Sequence, residues 1–431
     1  MKTSPWLSAC VVAGSLVGGP TWGQPTASPA GPAAAAPETR PPAADTQAVT
    51  LRAAFDAAWQ RAVAARESDG QRRRAEADRT ASRSFWSAPP SLELSHRNDR
   101  LQDNAGKRET EIGVAVPLWL PGQRAARAGT AEAAVSQALA AEQVARLRLA
   151  GELRAAAWQI TALQAEATQA AAQAALLTRL GDDVDRRVRA GDLARADALA
   201  AKAEQMAASA VQSDAGQRLQ AARARWTLLT GLAALPDLRA TTADDDTANA
   251  AANAAASHPE VQLARQSTQL ARKRVDLIRH SRRDAPELTV GVRQDVPGRA
   301  EAAQGSLVVG LRLPFGTDDR NRPLETAALT ELDVAETHEQ RLQERVDSEI
   351  AAAREARRAA QTQLEAETAR AALLRERADL IQKSFRAGET PLPDLLLALA
   401  TAALADSAVV RQTAALGLAR AQLQQALGLL P

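Results

Sequence analysis

Along most of this chain, apolar residues recur every three or four positions, which is the spacing of helices. A helical region is predicted from Thr50, as N-cap, to Arg83. The longest runs cover about residues 124–188 and 324–385, and each is followed by a shorter run, about 193–232 and 395–427. At ~1.5 Å per residue, the longer runs span on the order of 100 Å. No compact globular domain holds helices of that length, so the pattern predicts long helical hairpins.

The period changes to two in four short stretches, at about 90–98, 109–118, 286–296 and 304–314. In them Leu, Val and Ile alternate with Glu, Ser, Thr, Arg or Gly, which predicts strands with one apolar and one polar or small face. Polar loops separate the members of each pair, so we expect two strand hairpins. Alternating strands about ten residues long are typical of tilted membrane strands.

Each helical hairpin is interrupted by a short break, at 188–193 in the first half and 385–394 in the second. Both breaks read Arg-Ala-Gly-acid, and an Asp follows six residues after the Gly. We expect Gly191 and Gly388 to end their helices in the left-handed conformation. The acids after them suit the start of the next helix, where free N–H groups favour negative charge.

The two halves are copies of one unit, because matching positions share an offset: Arg189 and Arg386 differ by 197, as do Gly113 and Gly310. Repeats longer than a solenoid unit indicate two fused modules.

We therefore divide the mature chain into a first repeat, 46–236, and a second, 258–431, joined by a low-complexity linker at 237–257. The predicted helical hairpins cover about 122–233 and 322–428.

The N-terminal 23 residues have the features of a secretory signal peptide, with Lys2 before an apolar stretch and small residues near the expected cleavage site. The four residues ending at Cys10 resemble a lipobox, but the apolar stretch continues past it, which favours a cysteine inside a discarded leader. Residues 24–45 are rich in Pro and Ala and predict a flexible linker. Outside the leader, we find no apolar run of the ~18–20 residues that span a membrane.

Composition excludes several classes of protein. The net charge is only +2, from 53 basic and 51 acidic residues. Nucleic-acid-binding proteins usually carry a large excess of positive charge, so no nucleic-acid partner is expected. One Cys excludes a disulfide framework, and the four His residues have no metal-ligand spacing. We find no catalytic constellation and no phosphate loop, which argues against an enzyme and predicts no cofactor.

The duplicated strand–strand–long-helix plan resembles the TolC family of outer-membrane efflux channels over essentially all of the mature sequence. The run Val116–Arg127, VPLWLPGQRAAR, is similar to the P-L-x-L-G-G-K-R-x-x-R stretch of the CzcC-like heavy-metal branch. Pro121 replaces its first Gly and Gln123 its Lys.

This resemblance implies a mainly α fold with a small β part. Four strands per chain would contribute to a trimeric 12-stranded outer-membrane barrel, continuous with a periplasmic α-helical tunnel. It also implies a homotrimer held in outer-membrane lipid, a periplasmic adaptor protein and an inner-membrane RND-type pump. The expected function is passive export, with divalent heavy-metal cations as substrate.

The resemblance also implies roles for four residues. Asp394 matches an acid that lines the closed periplasmic aperture of relatives, and three copies would form an acidic ring. A second acid of some relatives is Leu397 here. Gly191, Leu193 and Gly388 match the groove that docks the adaptor. The alternative for Asp394 is an ordinary first-turn helix acid, and the alternative for the tips is simple turn chemistry.

Other functions remain open at this point. The same architecture would serve multidrug efflux or type I secretion. A periplasmic adaptor carries only one helical hairpin, and a cytosolic coiled-coil scaffold would need neither leader nor strands.

Overall fold

The computed structural model describes residues 49–101, 104–236, 238 and 254–431. The predicted signal peptide and the linker at 24–45 lie outside the described residues, as does the predicted linker at 237–257 except for its residues 238 and 254–257.

The described residues form eight helices and four strands. The helices are α1 (Leu51–Arg61), α2 (Val63–Ser82), α3 (Gln123–Ala190), α4 (Arg195–Thr230), α5 (Ala254–Ser257), α6 (Pro259–Arg279), α7 (Asp318–Ala387) and α8 (Leu392–Ala426). The strands are β1 (Ser91–Asn98), β2 (Arg108–Pro117), β3 (Glu287–Val296) and β4 (Gln304–Arg312).

The strands form one antiparallel sheet in the order β1-β2-β3-β4. Gly113 pairs with Gly291 at its centre, where the two hairpins meet. A side chain on Gly291 would lie 2.6 Å from the Ile112 carbonyl oxygen, so only glycine allows this approach of the strands. Within the described chain, β1 and β4 each pair on one side only, which leaves two open edges.

The helices continue the order of the strands in one layer. Beside the sheet, α3 packs between α2 and α6, and α7 packs on α6. Further away, α3 packs between α4 and α8, and α7 packs on α8. The helices α3 and α7, of 68 and 70 residues, run unbroken through both levels. One edge of this layer is therefore formed by β1, α2 and α4, and the other by β4 and α7.

Helix ends follow the predicted chemistry. The Thr50 hydroxyl accepts the Ala53 N–H at 3.1 Å, as an N-cap does. Four glycines in left-handed conformation end helices, at φ +91° for Gly191, +76° for Gly231, +82° for Gly388 and +74° for Gly428. The second pair repeats the first at an offset of 197 residues, so the two halves end their helices by the same device.

Three predictions differ from the structure. The predicted helix from Thr50 to Arg83 is broken at Ala62, whose extended backbone separates α1 from α2. The second long helix begins at Asp318, six residues before the predicted start, and includes Pro323.

The third difference concerns apolar length. Helix α8 contains an 18-residue window of mean hydropathy 1.6, long and apolar enough by composition to cross a membrane. The prediction of no such run was wrong because scattered Asp and Arg residues obscure the Leu and Ala between them. Helix α8 instead packs on α7 and α3.

The largest core cluster lies where the helices change partners. Trp226 is 1% exposed, packs with Phe55, Leu153 and Ile160, and donates its indole N–H to the Ala234 carbonyl at 3.1 Å. Because this cluster joins α1, α3 and α4, it fixes the level at which α4 replaces α2 beside α3.

Candidate functional site

The sheet has two chemically different faces. On one face, two complete rows across all four strands are apolar: Leu92, Val114, Val290 and Val309 in the first row, and Leu94, Ile112, Val292 and Leu307 in the second. These side chains are 44–73% exposed. An exposed apolar face of this size marks contact with a membrane or another protein.

The opposite face is small and charged. Arg293 on β3 lies 2.9 Å from both Glu109 and Glu111 on β2, so one cation bridges two acids. The neighbouring row contains Gly113 and Gly291 beside Glu93, for which no described side-chain partner is found. This face presents ionisable groups and little bulk, as expected of a surface toward water.

The two breaks have matching backbone geometry. The Gly191 N–H donates to the Val188 carbonyl at 3.1 Å, and the Gly388 N–H donates to the Phe385 carbonyl at the same distance. Both glycines are exposed, and a Cβ added at either would meet no atom within 4 Å. Only their positive φ calls for glycine, which leaves open space around both turns.

One apolar cluster joins the two hairpins beside the breaks. It contains Val184 of α3 and Phe385 of α7 with Leu392 and Leu395 of α8, all at most 3% exposed. Leu193 is half-buried and packs against this cluster, so it belongs to the packing of the tip as well as to its surface.

A cation holds the hairpins together at the same level. The Arg187 guanidinium lies 5.0 Å from the centroid of the Phe385 ring, while its Nε lies 3.2 Å from Asp183. Arg187 is on α3 and Phe385 on α7, so this contact crosses between the repeats. Cation–π contacts of this kind contribute about 0.5–2 kcal/mol.

Equivalent acids after the two breaks behave differently. Asp197 accepts the Ala194 N–H at 3.1 Å and so caps α4. At the matching place before α8 stands Pro391, which has no N–H to donate. Asp394 is exposed and has no hydrogen-bond or ion-pair partner among the described residues. Its carboxylate is therefore free to act on something outside the chain.

Sequence reasoning missed a buried clamp at the C-terminal end of α8. Arg154 of α3 is 3% exposed and donates to the Gln425 side-chain oxygen and to the Leu429 carbonyl, both at 2.8 Å. Burial lowers the pKa of the Arg154 guanidinium to about 10. No local pattern marks Arg154 within its helix, because its partners lie more than 270 residues away.

Of the four predicted site residues, the structure places Gly191 and Gly388 at exposed turns, Leu193 at the edge of the tip cluster and Asp394 on the exposed first turn of α8. No described group of three or more His, Cys, Asp or Glu residues could hold a metal.

No protein-family model and no curated protein sequence matches this chain. Solved structures do match. VceC, an outer membrane protein of Vibrio cholerae, is 15% identical with a TM-score of 0.70, covering 88% of this chain and 96% of its own. CusC, whose crystal structures are described in terms of folding and transmembrane channel formation, is 14% identical with a TM-score of 0.71, covering 88% of this chain and 92% of its own.

The open MtrE outer membrane channel of Neisseria gonorrhoeae is 16% identical with a TM-score of 0.68, covering 88% of this chain and 89% of its own. This chain therefore has the fold of outer-membrane channels along nearly its whole described length. At such identities the likeness concerns the fold, and it does not separate a CzcC-like branch from others.

Proposed function

We propose that this protein is the outer-membrane channel of a tripartite efflux system, a passive trimeric conduit between an inner-membrane pump and the cell exterior. The observation that carries the proposal is the open sheet, whose apolar face is exposed and whose two edge strands lack partners within the described chain. The fold shared with solved outer-membrane channels supports it.

The open edges require further copies if the sheet lies in lipid. Each unpaired backbone group in hydrocarbon costs several kcal/mol, so membrane strands occur in closed barrels. Four strands are too few to close, whereas three chains would supply about twelve, a common barrel size. In the proposed trimer, β1 of each chain pairs with β4 of the next.

The edge helices carry independent support for this arrangement. Helices α4 and α7 each expose a second seam with the alternating three- and four-residue spacing of a coiled coil. On α4 the seam residues are Leu199, Ala203, Met206, Ala210, Ser213, Gln217 and Gln220. On α7 they are Ala359, Thr362, Ala366, Ala369, Leu373, Glu376 and Leu380.

The two seams match when α4 of one chain lies antiparallel to α7 of the next, with both turns at one level. Leu199 lies eight residues after Gly191, and Leu380 lies eight before Gly388. The next large pair also matches, because Met206 and Leu373 are each fifteen residues from those glycines. Leucine and methionine thus meet leucine, Ala203 meets Glu376, and at the other positions Ala, Ser or Gln meet Ala or Thr.

An edge that fits the opposite edge of another copy gives a head-to-tail contact, which closes into a ring when the rotation allows. Both levels of the molecule would close together, since β4 and α7 form one edge while β1, α2 and α4 form the other. The apolar sheet face then contacts lipid and the charged face lines the pore.

We assign the exposed turns at Gly191 and Gly388 to docking of a periplasmic adaptor, with Leu193 at its margin. The free space around both glycines supports this role. An RND-type pump would supply the driving force. For substrate we propose divalent heavy-metal cations, on the basis of the VPLWLPGQRAAR stretch and the acids of the pore-side face.

We assign Asp394 to the periplasmic aperture, where three copies would attract cations and repel one another. Its lack of a described partner supports this role. Asp394→Asn should reduce the cation-over-anion permeability ratio of the channel. Asp197→Asn is the matched control and should leave the ratio unchanged, because that carboxylate caps α4. Equal ratios in wild type and Asp394→Asn would exclude the aperture role.

Planar-bilayer recording tests the main proposal. Detergent-extracted protein should insert as a trimer and give discrete conductance steps, with β-signal in circular dichroism. A water-soluble single chain without conductance would refute the proposal.

The substrate is tested in a strain that lacks this protein. We expect increased sensitivity to zinc, cobalt or cadmium, restored by the wild-type chain. Unchanged metal tolerance with increased drug sensitivity would instead favour the multidrug alternative, and loss of an exported protein alone would favour type I secretion.

A further inference from the structure

We propose that a cavity at the junction of sheet and helices binds the phosphodiester headgroup of an anionic phospholipid. This inference rests on the proposed membrane location. The cavity is lined by residues of the α6–β3 connection, the β4–α7 connection and the start of α7, among them Arg282, Arg283, Phe315 and Asn321. It lies at the end of the sheet that faces the long helices, which corresponds to the periplasmic leaflet.

The cavity contains free positive charge. Neither the Arg282 nor the Arg283 guanidinium has a hydrogen-bond or ion-pair partner among the described residues. Arg279 also lines the cavity but pairs with Glu325 at 3.0 Å. The one acid that lines the cavity is Asp318, so two free cations face one carboxylate. Guanidinium groups bind phosphate oxygens in bidentate fashion.

Two contacts fix the backbone around the cavity. The Asn321 side-chain amide donates to the Arg282 carbonyl at 2.7 Å, which ties the start of α7 to the chain before β3. His280 packs directly against Gly122, where a side chain would collide with its ring. The backbone that carries both arginines is therefore fixed at the cavity rim.

The surroundings suit a lipid. Phe315 at the cavity is 87% exposed, and Leu313 just before it is 47% exposed. Four of the nine described aromatic residues lie at this junction: Phe85, Trp86, Trp119 and Phe315. Aromatic rings concentrate at membrane–water interfaces. Acyl chains would lie along the apolar sheet face while the headgroup enters the cavity.

Charge selects the headgroup. A zwitterionic headgroup would place its own cation beside two unpaired arginines, whereas a phosphatidylglycerol headgroup carries only the anion. Basic side chains near a membrane surface each favour anionic lipid by about 1 kcal/mol. Loss of both arginines should therefore weaken binding roughly 30-fold.

Native mass spectrometry in neutral-detergent micelles tests the inference with the full chain. The probes are phosphatidylglycerol, phosphatidylcholine and inorganic phosphate. Wild type should bind phosphatidylglycerol more tightly than phosphatidylcholine. The Arg282→Gln/Arg283→Gln variant should lose about 30-fold for phosphatidylglycerol only. The control, Arg223→Gln/Arg225→Gln on α4, removes equal charge far from the cavity and should bind like wild type.

Three outcomes would overturn the inference: equal affinity of wild type for the two lipids, unchanged affinity in the cavity variant, or an equal loss in the control. Displacement of the lipid by equimolar inorganic phosphate would show that the cavity takes free phosphate instead. Channel conductance of the same samples is recorded separately, so a failure of lipid binding is distinguishable from a failure of the channel proposal.

Discussion

At the scale of the residue, the equivalent aspartates of the two repeats make different contacts. Asp197 caps a helix because Ala194 offers an N–H, whereas Asp394 is left free because Pro391 offers none. Both acids are visible in the sequence, and so is Pro391. The sequence alone does not show that the Asp394 carboxylate lacks a backbone donor. This follows only once Pro391 is placed at the N-cap of α8, because a helix that began one turn away would offer an N–H at that position.

This difference predicts opposite effects on stability. Asp197→Ala should lower the free energy of unfolding by about 0.5–2 kcal/mol, the usual contribution of a lost helix cap. Asp394→Ala should change it by less than about 0.5 kcal/mol, as for other exposed residues without partners. Denaturant midpoints of the two variants, measured side by side in one detergent, check this. A larger loss in Asp394→Ala would show that its carboxylate has a structural partner.

His258 predicts a pH dependence. It is 5% exposed, its Nδ1 accepts the Glu260 N–H at 3.2 Å as the cap of α6, and burial lowers its pKa below the ordinary 6.5. The unfolded chain therefore binds the proton first as pH falls, so stability is full above about pH 6.5 and decreases below it. Thermal midpoints between pH 7.5 and 5 should fall less in His258→Asn, which keeps a capping oxygen. Equal slopes would contradict this account.

At the scale of the element, the sequence predicted most of the architecture. Strict alternation located the strands, and left-handed glycines located the turns, because both depend on local chemistry. The break at Ala62 and the early start of α7 could not be predicted this way. Ala62 carries no breaker signal, and α7 includes Pro323, a residue type that is normally disfavoured inside a helix.

Alanine substitutions at two glycines within helices should have opposite effects on the free energy of unfolding. Gly216 on α4 has open space around it, so Gly216→Ala should stabilise by about 0.5–1 kcal/mol through helix propensity. Gly417 on α8 lies directly against the Trp158 ring of α3, so Gly417→Ala should destabilise by about 1–3 kcal/mol through overpacking. Thermal unfolding compares them. Stabilisation by both substitutions would mean that α8 does not pack closely on α3.

At the scale of the whole molecule, the seams of α4 and α7 lie on opposite edges of one layer, and neither edge has a described partner. The spacing of the seam residues can be predicted from the sequence. Their exposure cannot be predicted, because the buried seams of α4 and α7 have the same spacing. Only the placement of α3 and α8 between them shows which seam remains open for another copy.

This arrangement predicts a specific crosslink. In a Cys10→Ser background, Leu199→Cys with Leu380→Cys should form disulfides between chains, up to a covalent trimer on a non-reducing gel. Leu199→Cys with Ala359→Cys is the control. Its second cysteine lies 21 residues from position 380, about 30 Å along the helix, and should not crosslink. Crosslinking of the control alone would require another register.

The two unbroken helices also make the length of the molecule adjustable. Near the turns, buried positions repeat every seven residues, as at Ala371, Ala378 and Phe385 of α7, and the open seams of α4 and α7 follow the same period. Seven residues added at one height to each of α3, α4, α7 and α8 would preserve every seam and move the turns about 10 Å further from the sheet. In the proposed channel, the reach of the helices between the two membranes would therefore depend on the number of heptads, with no change to the strands or to the turns.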